Sequence, residues 1–433
     1  MPDIRALHGL RYDLGHIGSL AEVISPAEVA SDPTLVDSLF ERHPANVIRI
    51  LANREEPGDD QLNNRFTRAR RFLTDWQRQG VLQREPDPAI YVYHQDFDWN
   101  GQRVTRRGFL AGLTLEEIDQ QQYEALLLLL NQPAQEALEM LRATQTNVRP
   151  GIALYADSSI SVQQVLENQI ATATPLIAKD EAGVVHRLWP VTDHQVIGQI
   201  REKMAHRQMF RNAMDDFLPA TLNRYELAQR GELTPMHPAN FMLTAFFELT
   251  EPGFEPKLRF PLAHAAPRLT SSELVEKLGV HFDCQVMDKG LEAAAELWEE
   301  MQTSSELGHF GIYCGADQTW VSVMLTADGQ VRMEEATPER DEAWRDLDEN
   351  LWEWLVLTEL LETADAKQTY ARSVENLVGV LQEDQGGEIS LAAMIRPVCM
   401  TQYQSFLERQ VSFFHKIETD PAPVCGLVIN RLA

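Results

Sequence analysis

The sequence predicts a mixed α/β chain of the α+β type, built in more than one lobe. Three observations carry that expectation. Helical and strand periodicities are interleaved without a regular strand–helix alternation, hairpin signals occur between β-rich runs, and 433 residues exceed what one compact core ordinarily accommodates. Hydrophobic residues make up 44% and charged residues 24%, the balance of a globular chain rather than a disordered or fibrous one.

Taken in order, Leu62 to Gln79 is the first clear helix, with Leu62, Phe66, Ala69, Leu73 and Trp76 forming an apolar face and Arg65, Arg68, Arg71 and Arg78 mainly on the solvated side. Ala89 to Phe97 and Thr105 to Leu113 read as strands joined through Asn100-Gly101, a hairpin dipeptide. Helices are expected around Thr114 to Leu130 and Ala134 to Thr144. Strands follow at Gly151 to Asp157 and Gly183 to Val191, flanking a helix begun by Ser161. A helix from Asp193 to Met214 leads to Pro219–Asn223, read as a loop that starts the next helix, with Thr221 or Asn223 as N-cap and Arg224 and Glu226 in its first turn.

The proline- and glycine-rich stretch Thr250 to Lys257 is the best boundary. The expected division is residues 1–150, 151–255 and 256–433. In the last segment, strands are expected at His281–Met287, His309–Gly315, Thr319–Val331 and Cys425–Leu432, with the apolar stretch Glu388–Val398 before the last of them. Helices are expected at Gly290–Gln302, Leu347–Thr363 and Thr401–Glu408.

Charge and cysteine usage exclude several function classes. Lys plus Arg is 38 and Asp plus Glu is 65, so the net charge is 38 − 65 = −27, the wrong sign for duplex DNA or RNA. The leucine run Leu126–Leu130 ends at Asn131-Gln132-Pro133, too short for the roughly 20 apolar residues of a membrane span. No basic, then apolar, start reads as a secretory signal, and Cys284, Cys314, Cys399 and Cys425 form no C-x-x-C pair. A cytoplasmic protein with reduced, mostly buried thiols is expected, with no membrane and no nucleic acid as partner.

Dinucleotide, P-loop, zincin and nucleophile-elbow motifs are missing. His281 and Cys284 lack a second ligand pair, so no metal site is expected. His186 and Arg187 interrupt an apolar strand on opposite faces. Residues alone make Arg224-Tyr225-Glu226 the first turn of a helix, where main-chain N–H groups and Arg224 could attract an anion.

A set of short elements in shared order adds to this reading. They are Leu20-Ala21-Glu22-Val23-Ile24-Ser25, Asn46-Val47-Ile48-Arg49-Ile50, Tyr91-Val92-Tyr93-His94-Gln95, Arg107-Gly108-Phe109, His186-Arg187-Leu188-Trp189, Pro219 to Glu226, Pro261-Leu262-Ala263-His264, Arg409 to Lys416, and Gly426-Leu427-Val428-Ile429. In them the chain resembles the bacterial and archaeal family called domain of unknown function 1015. The corresponding family elements are P-Y-D-V-I-S, an N-V-x-R-L strand, Y-x-Y-x-Q, R-x-G-F, H-R-L-W, A-D-G-H-H-R-Y-E, P-T-H-R, K-S-T-x-F-x-P-K and T-G-L-V-I.

The family's G-H-H-R box is similar to that of ParB/sulfiredoxin-type domains, some of which are small-molecule kinases. The resemblance therefore implies a ParB/sulfiredoxin-like core and phosphoryl transfer on a small hydroxylated metabolite, with Mg²⁺ and a nucleotide or pyrophosphate if activity is retained. It implies Glu22 and Glu226 as catalytic or metal-holding acids, and Arg187, Arg224, His264 and Lys416 as ligand-binding groups for a phosphorylated or carboxylated metabolite. The box here reads Ala220-Thr221-Leu222-Asn223-Arg224-Tyr225-Glu226, without the acid, the glycine or either histidine, and Ala21 replaces the family tyrosine. Those losses point to weak, altered or lost activity. The alternative is a non-catalytic scaffold that binds a protein partner through its acidic C-terminal half, including the Trp352-Glu353-Trp354 helix.

Overall fold

The structure is a computed structural model of the 433-residue chain. It describes residues 3–432 except 28, 30, 31, 100, 158, 208, 213, 255–257, 265, 290, 305–307, 364–365, 385–386, 399–401, 404–405 and 407–418, with the backbone alone at 212, 214–216, 288–289 and 291–292.

The chain is mixed α/β and forms two compact units, Met1–Phe254 with Phe414–Ala433, and Glu255–Phe413. The strands of the first unit are β1 (Ile4–Arg5), β2 (Leu10–Tyr12), β3 (Leu82–Arg84), β4 (Ile90–Trp99), β5 (Gln102–Thr114), β6 (Thr146–Asn147), β7 (Gly151–Tyr155), β8 (Leu176–Lys179), β9 (Val185–Val191), β10 (Met209–Asn212) and β11 (Phe241–Glu248). Eight of them make one sheet in the order β10-β7-β11-β5-β4-β9-β8, with β1 also on β5. Its pairings are antiparallel except β11 with β7.

The hairpin β4–β5 is the spine of this sheet. Trp99 faces Gln102 across a two-residue turn in which Gly101 has φ 76°, the left-handed backbone that an Asn-Gly turn supplies; Asn100 itself lies outside the described residues. Gly108 on β5 is required for packing. A Cβ there would come within 2.4 Å of the Phe246 carbonyl oxygen and 2.5 Å of the Phe247 ring. On one face of the sheet, Val162, Leu166 and Ile170 of the Ser161–Ile170 helix and Ile197, Ile200 and Met204 of the His194–Ala205 helix bury Val92, Phe109, Tyr155 and Trp189. Each buried aliphatic side chain contributes about 1.5–3 kcal/mol relative to exposure.

The second unit contains β12 (Phe260–His264), β13 (Phe282–Lys289), β14 (His309–Cys314), β15 (Thr319–Leu325), β16 (Lys367–Ala371) and β17 (Ile389–Met394), all antiparallel in the order β13-β15-β14-β17-β12-β16. Leu274 and Leu278, Leu297 and Met301, and Trp352 and Leu355 cover it from three helical segments. The short β18 (Asn430–Arg431) returns to the first unit and pairs with β6.

Several local expectations change. Segments on either side of position 150 share one sheet, since β5 pairs β11 and β11 pairs β7. The first long helix is Arg65–Arg78, capped by Asn64 with Thr67 closing the capping box, and Leu62 is 87% exposed outside it. Arg68 is buried on that helix, held by Asp59 and the Arg54 carbonyl, so it does not belong to a solvated face.

The helix capped by Asp193 stops at Ala205, and β10 follows. Asn46–Ile50 is not a strand: the Asn46 carboxamide accepts from the Ile48 N–H and starts a single helical turn, Ile48–Leu51. Past Leu325 the chain turns into the Ala327–Ala336 helix, with Thr326 as N-cap. Trp352 is fully buried, which removes it from any contact surface; Trp354 is 38% exposed. The expected Thr401–Glu408 helix falls largely outside the described residues.

Cys314 is buried and Cys284 half-buried, both as free thiols, and Cys425 is buried; Cys399 is not among the described residues. Burial pushes the Cys314 thiol up to about 12 and, with Asp283 adding to it, Cys284 to about 11. Because only the thiolate reacts, neither is expected to consume a thiol reagent at about pH 8 in the native protein. All four cysteines should titrate in denaturant. A native titration already complete before denaturant is added would contradict this.

Candidate functional site

The opening helix of the expected box is the largest correction. Met214–Gln229 is one continuous helix with Pro219 inside it, so Arg224 and Glu226 lie in its last third rather than at its start. An interior proline costs about 3 kcal/mol. Burial of Phe217, Leu218 and Leu222 offsets that cost: Phe217 lies against Gly151, and Leu218 and Leu222 pack with Leu138. Arg224 is therefore not in the first turn of its own helix, and the anion-attracting geometry expected there is not formed.

Both box side chains are used internally. Arg224 donates from Nε to Asn240 Oδ1 at 3.1 Å and from Nη2 to Glu117 Oε1 at 2.8 Å. Glu226 accepts from Arg142 Nε at 3.0 Å, from Arg142 Nη2, and from the Tyr123 hydroxyl at 2.9 Å. This paired carboxylate holds Arg142 above its usual range. Glu226→Ala is expected to cost about 1–3 kcal/mol of stability by leaving Arg142 Nε and Nη2 and the Tyr123 hydroxyl without their shared acceptor, while Glu139 keeps Arg142 Nη1. Urea unfolding measures it, and an unchanged midpoint would contradict the role.

The other candidates fall in different places. Glu22 ends an exposed 3₁₀ turn packed beside β8. His264 ends β12 in the second unit, 2.8 Å from Thr369 Oγ1 through Nε2. Lys416 lies outside the described residues. Arg187 is on β9, at the end of the first sheet opposite the box: Glu117 and Asn240 flank the β5 terminus and β11 start, whereas Arg187 aligns with Arg107. From Arg107 to Thr114 is about 23 Å of strand at roughly 3.3 Å per residue.

Around Arg187 the sheet gathers polar groups on both faces. Register places Arg107, His94 and Arg187 abreast on β5, β4 and β9, with their side chains on one face. Each of the two guanidinium groups in this row has its own carboxylate. Glu251 takes Arg107 Nε and Nη2 at 3.0 and 2.7 Å, Asp96 pairs with Arg187, and Glu167 Oε1 lies 2.9 Å from His94 Nε2. Arg107 and Arg187 side chains remain 41% and 36% exposed, while His94 is buried against Trp189 at 4.9 Å. Burial works against ionisation of Glu167, but His94 and Gln163 prevail and hold its carboxyl below the usual range. Beneath the row, the Tyr155 hydroxyl and Gln163 Oε1 are buried without a hydrogen-bond partner.

The opposite face of the same strands is closed. Arg106, fully buried, donates to the carbonyls of Pro252, Gly253, Asp420 and Pro421 and to Gln95 Oε1, at 2.6 to 3.3 Å. All five of its N–H donors are thus matched. Tyr93 Oη lies 2.8 Å from His186 Nδ1, and His186 Nε2 lies 3.1 Å from Asp180 Oδ2. The Val424 N–H donates to the Tyr93 oxygen. Nearby, Asn46 Nδ2 donates to the carbonyls of Glu22 and Ile24, Val47 N to Val23 O, and Ser25 and Cys425 exchange main-chain bonds.

Elements far apart in sequence therefore do meet, through buried side chains and backbone. Sequence reasoning missed Arg106, His94 and Arg107 as a group; the signal was the run of polar residues His94-Gln95-Asp96 and Arg106-Arg107 inside two β-rich segments.

A chain with these features is a two-unit mixed α/β protein whose first sheet carries a charge-paired polar end. It belongs to the family described as protein of unknown function (DUF1015), which matches residues 4–350. No curated protein and no solved structure matches the chain. The matched span holds every candidate residue except Lys416.

Proposed function

We propose that this protein binds a small phosphorylated or carboxylated metabolite at the Arg107–His94–Arg187 row, and that phosphoryl transfer has been altered or lost. The observation that carries the reading is the unspent hydrogen-bonding capacity of two half-exposed guanidinium groups that flank His94 on one face of the sheet. Arg187 spends one nitrogen on Asp96 and Arg107 spends Nε and Nη2 on Glu251, which leaves donors on both for an incoming oxyanion. Such a local basic row works against the −27 field of the whole chain, which favours small ligands over polyanions.

Of the groups expected to serve Mg²⁺ and a nucleotide, Arg224 and Glu226 are engaged internally. Glu226 is saturated by Arg142 and Tyr123, and among the described residues no three His, Cys, Asp or Glu side chains are grouped to hold a metal ion. The reading is therefore binding without the box chemistry, in a cytoplasmic setting with which the free thiols agree. A non-catalytic scaffold is the second reading, favoured by the same internal use of Arg224 and Glu226.

Isothermal titration with inorganic phosphate, pyrophosphate and a small dicarboxylate tests the first. Arg187→Ala and Arg107→Ala are each expected to weaken binding by about tenfold or more, the scale of one charge-assisted hydrogen bond, while Arg224→Ala leaves it unchanged. Binding that survives Arg187→Ala intact, or is abolished only by Arg224→Ala, overturns the proposal.

A further inference from the structure

His94 stands in the middle of the row on which the oxyanion reading depends. β5 and β9 flank β4 at about 4.8 Å each, which sets Arg107 and Arg187 roughly 10 Å apart along the row with the imidazole between them. An oxyanion that takes donors from both guanidinium groups therefore lies over His94.

The ring is enclosed, its side chain 8% exposed, between Trp189 and Glu167. His94 Nε2 is 2.9 Å from Glu167 Oε1 but out of line for a hydrogen bond, so the contact is chiefly one of charge and is strongest when the imidazole is protonated.

The charges around His94 leave an incoming anion opposed. Arg107 projects from β5 and Arg187 from β9, Asp96 lies two residues along β4 on the same face, Glu167 comes from the Ser161–Ile170 helix, and Glu251 follows β11 and grips Arg107. With a neutral imidazole these sum to 2 − 3 = −1, and Glu167 acts electrostatically on Arg107 as well as on His94. One proton on His94 brings the sum to zero and leaves the free guanidinium donors unopposed. Tyr155 and Gln163 beside the row are uncharged. Beyond them Asp157 is paired with Arg207, and Glu248 accepts from the N–H groups of Asp157 and Thr250. Of these side chains the imidazole is the kind that changes charge between about pH 5 and pH 8.

We propose that anion binding at this row is coupled to protonation of His94: the imidazolium is the third cation of the site, and binding draws in a proton. The inference rests on the reading of the row as an oxyanion site.

Isothermal titration of the full chain with sodium sulfate tests it, since sulfate is a dianion with no proton of its own to exchange in this range. The wild type is expected to bind about tenfold more tightly at about pH 5.5 than at about pH 8. Proton uptake should accompany binding, read from the dependence of the binding heat on the ionisation enthalpy of the buffer. His94→Gln is expected to bind equally at both pH values and without proton uptake. Glu167→Gln, which removes the opposing carboxylate at a half-exposed position, is expected to bind about tenfold more tightly than the wild type at the higher pH. Thermal melts accompany both variants, and Glu167→Gln carries the test should His94→Gln fail to fold.

Sulfate that binds with one affinity at both pH values, and is lost in Arg187→Ala, overturns this inference and leaves the oxyanion reading standing. A pH dependence retained in a folded His94→Gln overturns it too, as does a Glu167→Gln variant no tighter than the wild type at the higher pH. Absence of binding at either pH overturns the oxyanion reading and this inference with it.

Discussion

Replacing Arg106 by Met is expected to lower stability by about 3–5 kcal/mol and the melting temperature by about 10 °C. The guanidinium is fully buried and stands over the rings of Phe97 and Phe254 at 4.8 and 4.5 Å. Burial pushes its pKa down to about 10, so it remains charged at neutral pH and desolvation is already a cost in the native state. In some proteins an apolar substitute recovers that cost. Here the partners are four main-chain carbonyls and Gln95, which remain buried and polar whatever replaces Arg106.

Lysine cannot substitute, because one ammonium reaches at most three acceptors and lacks the fork. Gly253 belongs to the same arrangement: at φ +82° its Cβ position is 2.3 Å from Arg106 Nη2, so Gly253→Ala should act in the same direction. Differential scanning calorimetry of Arg106→Met and Arg106→Lys is the check. A melt within two or three degrees of the wild type for Arg106→Met would sink the assignment.

The second large effect is expected at His186. His186→Phe keeps the ring but leaves the Asp180 carboxylate and the Tyr93 hydroxyl without their shared partner, at a cost of about 3 kcal/mol. The substitution should also alter the acid limb of stability. Burial opposes ionisation of Asp180, but the His186 imidazole and the N–H groups of Val184 and Ala182 outweigh it and hold the carboxyl below its usual range.

A carboxyl depressed in the folded state stabilises fully above its unfolded pKa, near 4. It loses that contribution as pH falls through the lower, folded value. Urea midpoints from neutral pH into the carboxylate range should therefore fall on acidification in the wild type, and less steeply in His186→Phe. Parallel curves would show that Asp180 titrates without reference to His186.

Much of the fold was legible because periodicity and capping act locally. The β4–β5 hairpin followed from two β-rich runs around Asn100-Gly101, and helices were expected from Ser161 and at Ala134 to Thr144, where Ser161–Ile170 and Gln132–Thr144 form. The central strand β11 was not recognised. Its burial on both faces makes Phe241–Glu248 an apolar run without alternation, which periodicity cannot assign. The Met214–Gln229 helix was misplaced at its start for a related reason, since Pro219 is a strong local breaker and only packing of Phe217 and Leu222 carries the helix through it.

The candidate site divides in the same way. His186 and Arg187 stood out as polar side chains in an apolar strand, and alternation assigned them to opposite faces, as observed. What no local rule contains is a partner. Arg224 and Glu226 have the chemistry of an anion site, and they become internal struts because Glu117, Asn240, Arg142 and Tyr123 reach them from four other segments.

From the sequence alone came the class of fold, the family resemblance, the acidity of the chain and the residue types able to bind an anion, because each depends on composition or on neighbours a few residues apart. Only the tertiary structure decided which of those side chains are already neutralised and which keep free donors. Pairing across strands and between helices joins residues about ninety to 144 positions apart, and nothing in local spacing encodes it.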